Sequence, residues 1–288
     1  MSSDHPSRDD ISAIVVSYNT GPALADCLTS LKKDATVSEI IIVDNGNPDG
    51  AIEAAIAKAG ALVRVLAGHG NVGFAAGCNC GAAAATGDYL LFINPDAVMA
   101  PGGAARLLAD SRPLARPWLM GAMLLGLDGK EQQGSRRADL TPWRAIFEAS
   151  KLSRIAPGVF PSFNLHRTAP PETLIEVPTL SGACLFLPAE NYHAIGGMDE
   201  GYFLHVEDID FCKRFRDAGG RVWFNPAVTV AHLKSSSDAP LREVEAHKTR
   251  GLIRYFDTHF EKSWPAPARW ILARLLWLSY GLKTFGRN

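Results

Sequence analysis

Residues 90–99, "LLFINPDAVM", begin as an unbroken apolar run and then place Asn94, Pro95 and Asp96 where apolar residues should continue. Such a run reads as a strand buried on both faces. Proline has no N–H to give a ladder, so the strand stops at this turn and delivers a carboxylate just past its end. A carboxylate there is cheap to hold if water or a cation meets it and expensive if buried alone. Pro95 fixes the backbone beside Asp96, which suits a hard divalent ion bound by one or two protein ligands and completed by phosphate oxygens.

The neighbouring stretches repeat the pattern. "ISAIVVSYN" (11–19) is another apolar run ending in polar residues, and "GPALADCLTSLKK" after it carries Leu24, Leu28 and Leu31 at helical spacing. "EIIIVDNG" (39–46) closes on Asp44 and Asn45, "DGAIEAAIAKAG" reads as a helix and "LVRVLAG" as a further strand. Apolar runs alternating with helices imply a mostly parallel central sheet flanked by helices, an α/β domain. Ligands of such sheets bind beyond the carboxyl ends of the strands. The polar residues to watch are therefore Tyr18 and Asn19, Asp44 and Asn45, and Asn94 to Asp96. Each group alone is also ordinary turn chemistry, but three successive strand ends of this kind favour a ligand-binding edge.

Periodicity weakens over residues 127–178, which are rich in Pro, Gly and charge. This segment reads as an insertion, either a candidate acceptor-binding loop or lid or an elaborated surface loop. Order returns with a strand around 183–187, a short helix, a Gly-Gly turn, an acidic helix start holding Glu207, Asp208 and Asp210, and a strand ending near His232. Like charges at that acidic start raise at least one carboxyl pKa, which favours proton acceptance near neutral pH. The same acids also stabilise a helix dipole with no catalytic role. The division expected is a disordered N-terminus (1–10), one α/β domain (11–240) and a helical appendage (241–288).

The appendage holds one helical stretch, a break at Pro265 and Pro267, and then "ARWILARLLWLSYGLKTFGRN". Trp270, Ile271, Leu275, Trp277, Leu278 and Leu282 give it an apolar surface beside Arg269, Arg274, Lys283 and Arg287. The apolar core falls short of the roughly 20 residues that span a bilayer. Two expectations stand side by side: a helix lying in the membrane interface, and a helix packed on the domain or on a second subunit.

With 47% hydrophobic and 20% charged residues the chain can bury a substantial core, and a net charge of −1 supplies no global field for nucleic acid. Cys27, Cys78, Cys80, Cys184 and Cys212 form neither an even disulfide set nor the paired CxxC elements of a zinc site. Cys78 and Cys80 read as helix packing. A polar, acid-containing N-terminal stretch is no signal peptide. A cytoplasmic protein, peripheral at the inner face of the plasma membrane, is the expectation.

The pieces "IVVSYN", "IIIVDNG", "GNVGFAAGCNCGAAAATGDYLLFINPDA", "SGACLFLP", "GGMDEGYFLHVEDIDFCKRFRDAG" and "VAHL" run in order over residues 11–235. Together they resemble the inverting nucleotide-sugar glycosyltransferases of family 2, of GT-A fold, in particular bacterial rhamnosyltransferase-like members. The resemblance implies that Tyr18, Asn19 and Asp44 hold base and ribose. Asn71 and Gly73 lie beside the nucleotide-sugar. Asn94-Pro95-Asp96 takes the place of the DXD motif, with Asn94 departing from it as a neutral contact. Asp96 and His232 hold Mn²⁺ or Mg²⁺. Asp208 is the base, with Glu207 and Asp210 contacting acceptor or supporting it. The donor implied is a nucleotide-diphospho-sugar, with L-rhamnose from dTDP-rhamnose as the leading example. The acceptor is a saccharide or lipid-linked saccharide of cell-surface polysaccharide, and an oligomer could form through the C-terminal helices.

Two other readings stay open. A nucleotidyltransferase expects a basic, glycine-rich loop after the first strand, and "VVSYNTGPALADC" has neither Lys nor Arg. A non-catalytic nucleotide-sugar or glycan-binding module would keep the fold without turnover. A Rossmann dehydrogenase is disfavoured, because no GxGxxG follows the first strand.

Overall fold

Strand β1 (Ile11–Ser17) is buried at every residue and sits inside the sheet. Helix α1 (Ala23–Lys32) follows, then β2 (Val37–Asp44), α2 (Ala51–Ala59), β3 (Arg64–Leu66), α3 (Phe74–Ala84) and β4 (Tyr89–Ile93). β3, β2, β1 and β4 lie side by side and parallel, as the alternating pattern requires. The computed structural model describes residues 9–61, 63–156, 158–233 and 240–285. Residues 1–8 of the expected disordered stretch, and Arg287, lie outside them.

Beyond β4 the sheet becomes mixed. Strand β5 (Ala97–Met99), helix α4 (Gly103–Ser111) and strand β6 (Trp118–Leu125) come next in sequence. The segment 127–178 contains short pieces only: β7 (Arg136–Arg137), α5 (Pro142–Ala149), α6 (Leu152–Ile155) and β8 (Ile175–Glu176). Then follow β9 (Thr179–Leu180), β10 (Cys184–Pro188), α7 (Ala189–Ala194), α8 (Glu207–Asp217) and β11 (Arg221–His232). β10 inserts antiparallel between β4 and β6, giving the order β3-β2-β1-β4-β10-β6-β11-β5, with β8 paired to β11.

The register decides where the polar strand ends fall. Ser17 pairs with Asp44, and Ile93 pairs with Cys184, the first residue of β10. β11 is parallel to β6, and its last residue, His232, pairs with Ala97 at the start of β5. The ends of β1, β2, β4 and β11 and the start of β10 therefore share one edge. Pro226 cannot donate to the ladder, and the β11 register shifts between Asn225 and Thr229.

Helix α3 rests directly on β1. A Cβ on Gly77 would stand 2.7 Å from Val16 Cγ1, and one on Gly81 would collide with Ile14 Cγ2. A second core joins Leu140, Ala145 and Phe163 of the insertion to Tyr202, Val206 and Ile209. Tyr255 and Phe256 of α9 (Leu241–Phe260) and Leu272 and Leu276 of α10 (Ala266–Thr284) complete it. The insertion and the C-terminal helices are thus packed together around the start of α8.

Gly81→Val should destabilise the protein by about 1–3 kcal/mol, because an added side chain overpacks the α3–β1 contact. Equilibrium urea unfolding, read as a lower midpoint at unchanged slope, checks this.

Candidate active site

The corner formed by β1 and β2 is built by short polar side chains. Tyr18 is 42% exposed, and its ring lies 3.7 Å from where a Cβ on Gly46 would sit. Asn19 adopts positive φ (46°), and its N–H donates to the Gly46 carbonyl. Asn47 binds both strand ends: its amide donates to Ser17 O (3.1 Å) and to Asp44 Oδ1 (2.7 Å), while its oxygen accepts from Thr20 N–H (2.9 Å). Asp44 Oδ1 also accepts from the backbone N–H of Gly46 and Asn47. These bonds all fall on Oδ1.

Asn45 and Asn71 both hydrogen-bond Gly73 and shape the glycine loop. The Asn45 amide donates to Gly73 O (2.9 Å), its oxygen meets His69 Nε2 (3.1 Å), and Asn71 Oδ1 accepts the Gly73 N–H (3.1 Å). Gly73 has φ +88°, and a Cβ there would stand 2.6 Å from Phe203 O, which accepts the N–H of Phe74. Only glycine allows this crossing.

The turn at Asn94-Pro95-Asp96 meets the end of β11. Asp96 is buried, and its Oδ1 lies 3.2 Å from His232 Nε2. Asn94 Nδ2 lies 3.3 Å from the same nitrogen. His232 Nδ1 meets Gln132 Oε1 at 2.7 Å, and Gln132 Nε2 donates to His232 O at 3.1 Å. Among the described residues no group of three or more His, Cys, Asp and Glu could hold a metal. Asp96 and His232 are therefore a pair of candidate ligands, not a closed site.

Asp208 and Glu207 stand at the first turn of α8, where the helix dipole favours negative charge. Asp208 Oδ2 accepts from the Gly182 N–H (2.9 Å) and from the guanidinium of Arg137. The adjoining Ala183 carbonyl accepts the Asn94 N–H (3.1 Å), so one loop touches both the Asp96 turn and Asp208. Glu207 is buried, and its Oε2 has no hydrogen-bond partner among the described residues. Burial, and then the neighbouring Asp208 charge, push its carboxyl up to about 8. Asp210 is also buried, which alone would raise its pKa. His259 and Arg214 outweigh that and hold it below the usual range, with His259 Nε2 at 2.7 Å and Arg214 Nε at 2.7 Å. Through His259 it fastens α8 to α9.

The entry to α8 is strained. His205 and Val206 both have positive φ (66° and 75°), which a β-branched residue adopts rarely. Gly251 of α9 lets their backbone come close, since a Cβ there would meet His205 O at 3.1 Å. Sequence reasoning missed Asn47, Gln132 and Arg137. Asn47 had a weak signal, three positions after Asp44 in a polar turn; the other two had none.

Residues 12–111 match the family model described as glycosyl transferase family 2. The chain carries a glycosyl transferase family 2 domain. An N-acetylglucosaminyl-diphospho-decaprenol L-rhamnosyltransferase of Mycobacterium tuberculosis (strain CDC 1551 / Oshkosh) is 28% identical over 284 residues, covering 92% of this chain and 89% of that protein. Rhamnosyltransferase WbbL of Escherichia coli (strain K12) is 24% identical, covering 76% of this chain and 81% of that one. Among solved structures, GalNAc-T7 with UDP, GalNAc and Mn²⁺ aligns with TM-score 0.63 at 17% identity, covering 88% of this chain. This chain spans 48% of that structure, about half its length. The mannosyltransferase PcManGT from Pyrobaculum calidifontis, with GDP-Man and Mn²⁺, aligns with TM-score 0.56 at 16% identity, covering 94% of this chain and 71% of that one. The family 2 domain thus has the GT-A fold of these glycosyltransferases.

A raised Glu207 pKa has a definite sign in stability. The folded chain keeps this proton up to about pH 8, whereas the unfolded carboxyl loses it near 4.5. The folded state therefore binds more protons between those values, and stability falls as pH rises through that window. Wild type should lose denaturant stability relative to Glu207→Gln from pH 5 to pH 8; parallel pH dependence of the two would show Glu207 to be ionised throughout.

Proposed function

We propose that this glycosyltransferase is an inverting, divalent-metal-dependent enzyme that moves a sugar from a nucleotide-diphospho-sugar to a saccharide or lipid-linked saccharide. L-Rhamnose from dTDP-rhamnose is the donor favoured, because the Mycobacterium tuberculosis and Escherichia coli relatives are named for rhamnosyl transfer. The former name also carries a diphospho-decaprenol acceptor. The observation that supports the reading best is the loop 181–183, which touches the Asp96 turn on one side and Asp208 on the other.

In this reading Tyr18, Asn19 and Asp44 hold base and ribose, and Asn71 and Gly73 keep the glycine loop close to the donor. Asn94 offers an uncharged contact. The acceptor hydroxyl gives its proton to Asp208 as its oxygen attacks the anomeric carbon from the face opposite the leaving group. A glycosidic C–O bond forms while the bond between sugar and diphosphate breaks. Arg137 and Gly182 both engage Oδ2, which leaves Oδ1 of Asp208 for the hydroxyl. Glu207, buried beside it, supports the base.

A carboxylate and an imidazole converging at one strand end fit Mn²⁺ or Mg²⁺, with diphosphate oxygens completing the shell. Bound there by Asp96 and His232, the ion would neutralise charge on the departing nucleoside diphosphate. Asp208→Asn should lower transfer by about 10²–10⁴-fold while donor affinity is kept. Transfer at the wild-type rate with normal donor binding would remove Asp208 from this role.

No helix among the described residues is long and apolar enough to cross a membrane. Helix α10 nevertheless has two apolar faces. Leu272 and Leu276 are buried in the second core, while Ile271, Leu275, Leu278 and Leu282 are exposed at spacings of four, three and four. The helix carries no Asp or Glu, and Arg274 lies over the exposed Trp270 ring at 4.9 Å. Cations and aromatics flanking an open apolar stripe match an anionic lipid surface, so the open face is assigned to a peripheral membrane contact. The protein should co-sediment with vesicles containing phosphatidylglycerol, and Leu278→Asp should weaken this severalfold. A concentration-dependent dimer that Leu278→Asp dissociates, without vesicle binding, would assign the face to a second copy instead.

A further inference from the structure

We infer that Gln132 is a positioning residue that selects the tautomer of His232, turning the lone pair of Nε2 toward Asp96. The inference rests on the reading of Asp96 and His232 as cation ligands. It concerns a side chain outside every stretch that carries the family resemblance.

The two ends of the Gln132 amide differ chemically, and each faces a partner that reveals which end it is. The His232 carbonyl can only accept, so the NH₂ group of Gln132 lies there, at 3.1 Å. Oε1 must then be the atom facing His232 Nδ1, at 2.7 Å. An amide oxygen can only accept, so Nδ1 carries the hydrogen. In a neutral imidazole Nε2 then carries the lone pair.

That lone pair meets the Asn94 amide nitrogen at 3.3 Å, which can donate to it, and Asp96 Oδ1 at 3.2 Å, which cannot. An unprotonated Nε2 and Asp96 Oδ1, directed at one point, can ligate one cation together. A hydrogen bond on the far nitrogen is the usual means by which a ligating histidine is oriented.

Gln132 is itself held in place. Its N–H donates to Leu124 O at 2.8 Å, at the end of β6. The preceding Glu131 pairs through both carboxylate oxygens with the buried Arg136, at 2.9 and 3.0 Å. The amide is thus delivered by fixed backbone rather than by a loop free to choose its contacts.

The test uses the full-length protein with ¹⁵N-labelled histidine, without metal, and reads the two ring nitrogens of His232 by NMR. Wild type should show a protonated Nδ1 and an unprotonated Nε2. Gln132→Leu should lose that preference and Gln132→Glu, which still accepts from Nδ1, should restore it. In parallel, Mn²⁺ binding in the presence of dTDP is followed by electron paramagnetic resonance. Gln132→Leu should weaken it by about 10–100-fold, and Asp96→Asn should weaken it at least as much. A protonated Nε2 in wild type overturns the inference without any variant. Mn²⁺ binding that Asp96→Asn weakens and Gln132→Leu leaves unchanged also overturns it, with the cation site intact. Binding that Asp96→Asn leaves unchanged overturns the cation site itself.

Discussion

Two hydrogen bonds made by the backbone of adjacent residues, Gly182 and Ala183, hold this edge together. The Asn94 N–H donates to Ala183 O, and the Gly182 N–H donates to Asp208 Oδ2. The first fixes the turn that carries Asp96 to the start of β10; the second fixes the start of α8 to the same loop. Because β10 runs antiparallel between β4 and β6, its first residues arrive at the edge where the parallel strands end. A parallel strand in that slot would bring its last residues there instead, and the loop could not join the Asp96 turn to Asp208. Gly182 eases the approach, since a Cβ there would stand a tight 3.3 Å from that of Asp208.

The segment between residues 127 and 178 contributes side chains to the same edge. From its first third come Gln132, against His232, and Arg137, against Asp208. Both side chains are anchored in the sheet or against it: Gln132 through the end of β6, and Arg137 through β7, which pairs with β9. The remainder of the segment supplies Leu140, Ala145 and Phe163 to the second core. Few of its residues follow a regular period because their packing partners are distant in sequence.

The C-terminal helices reach the same place from the other side. Asp210, one turn into α8, accepts from His259, Arg254 pairs with Asp199, and Gly251 admits the strained backbone of His205 and Val206. Positive φ at two consecutive non-glycine residues persists only when the surroundings hold it. Here the holding is done by α9, so the appendage stabilises the conformation from which Glu207 and Asp208 project. Leu272 and Leu276 of α10 share the second core with Val206 of that loop.

The parallel block, its helices, and the polar groups at the ends of β1, β2 and β4 were legible in sequence. Burial on both faces writes itself as an unbroken apolar run, and a proline or an Asx residue marks where the run stops. The acidic start of α8 was legible too, but not the separate roles of its carboxylates. Both are buried, and tertiary partners distinguish them: Glu207 Oε2 has none among the described residues, whereas Asp210 is held by Arg214 and His259. The sequence by itself determined the elements and the residues at their ends, because those depend on neighbours a few positions away. The antiparallel placement of β10, and the meetings of Gln132 with His232 across 100 positions and of Arg137 with Asp208 across 71, were decided by the tertiary structure alone. Contacts at such separations arise from how the sheet is ordered, and no local pattern encodes that order.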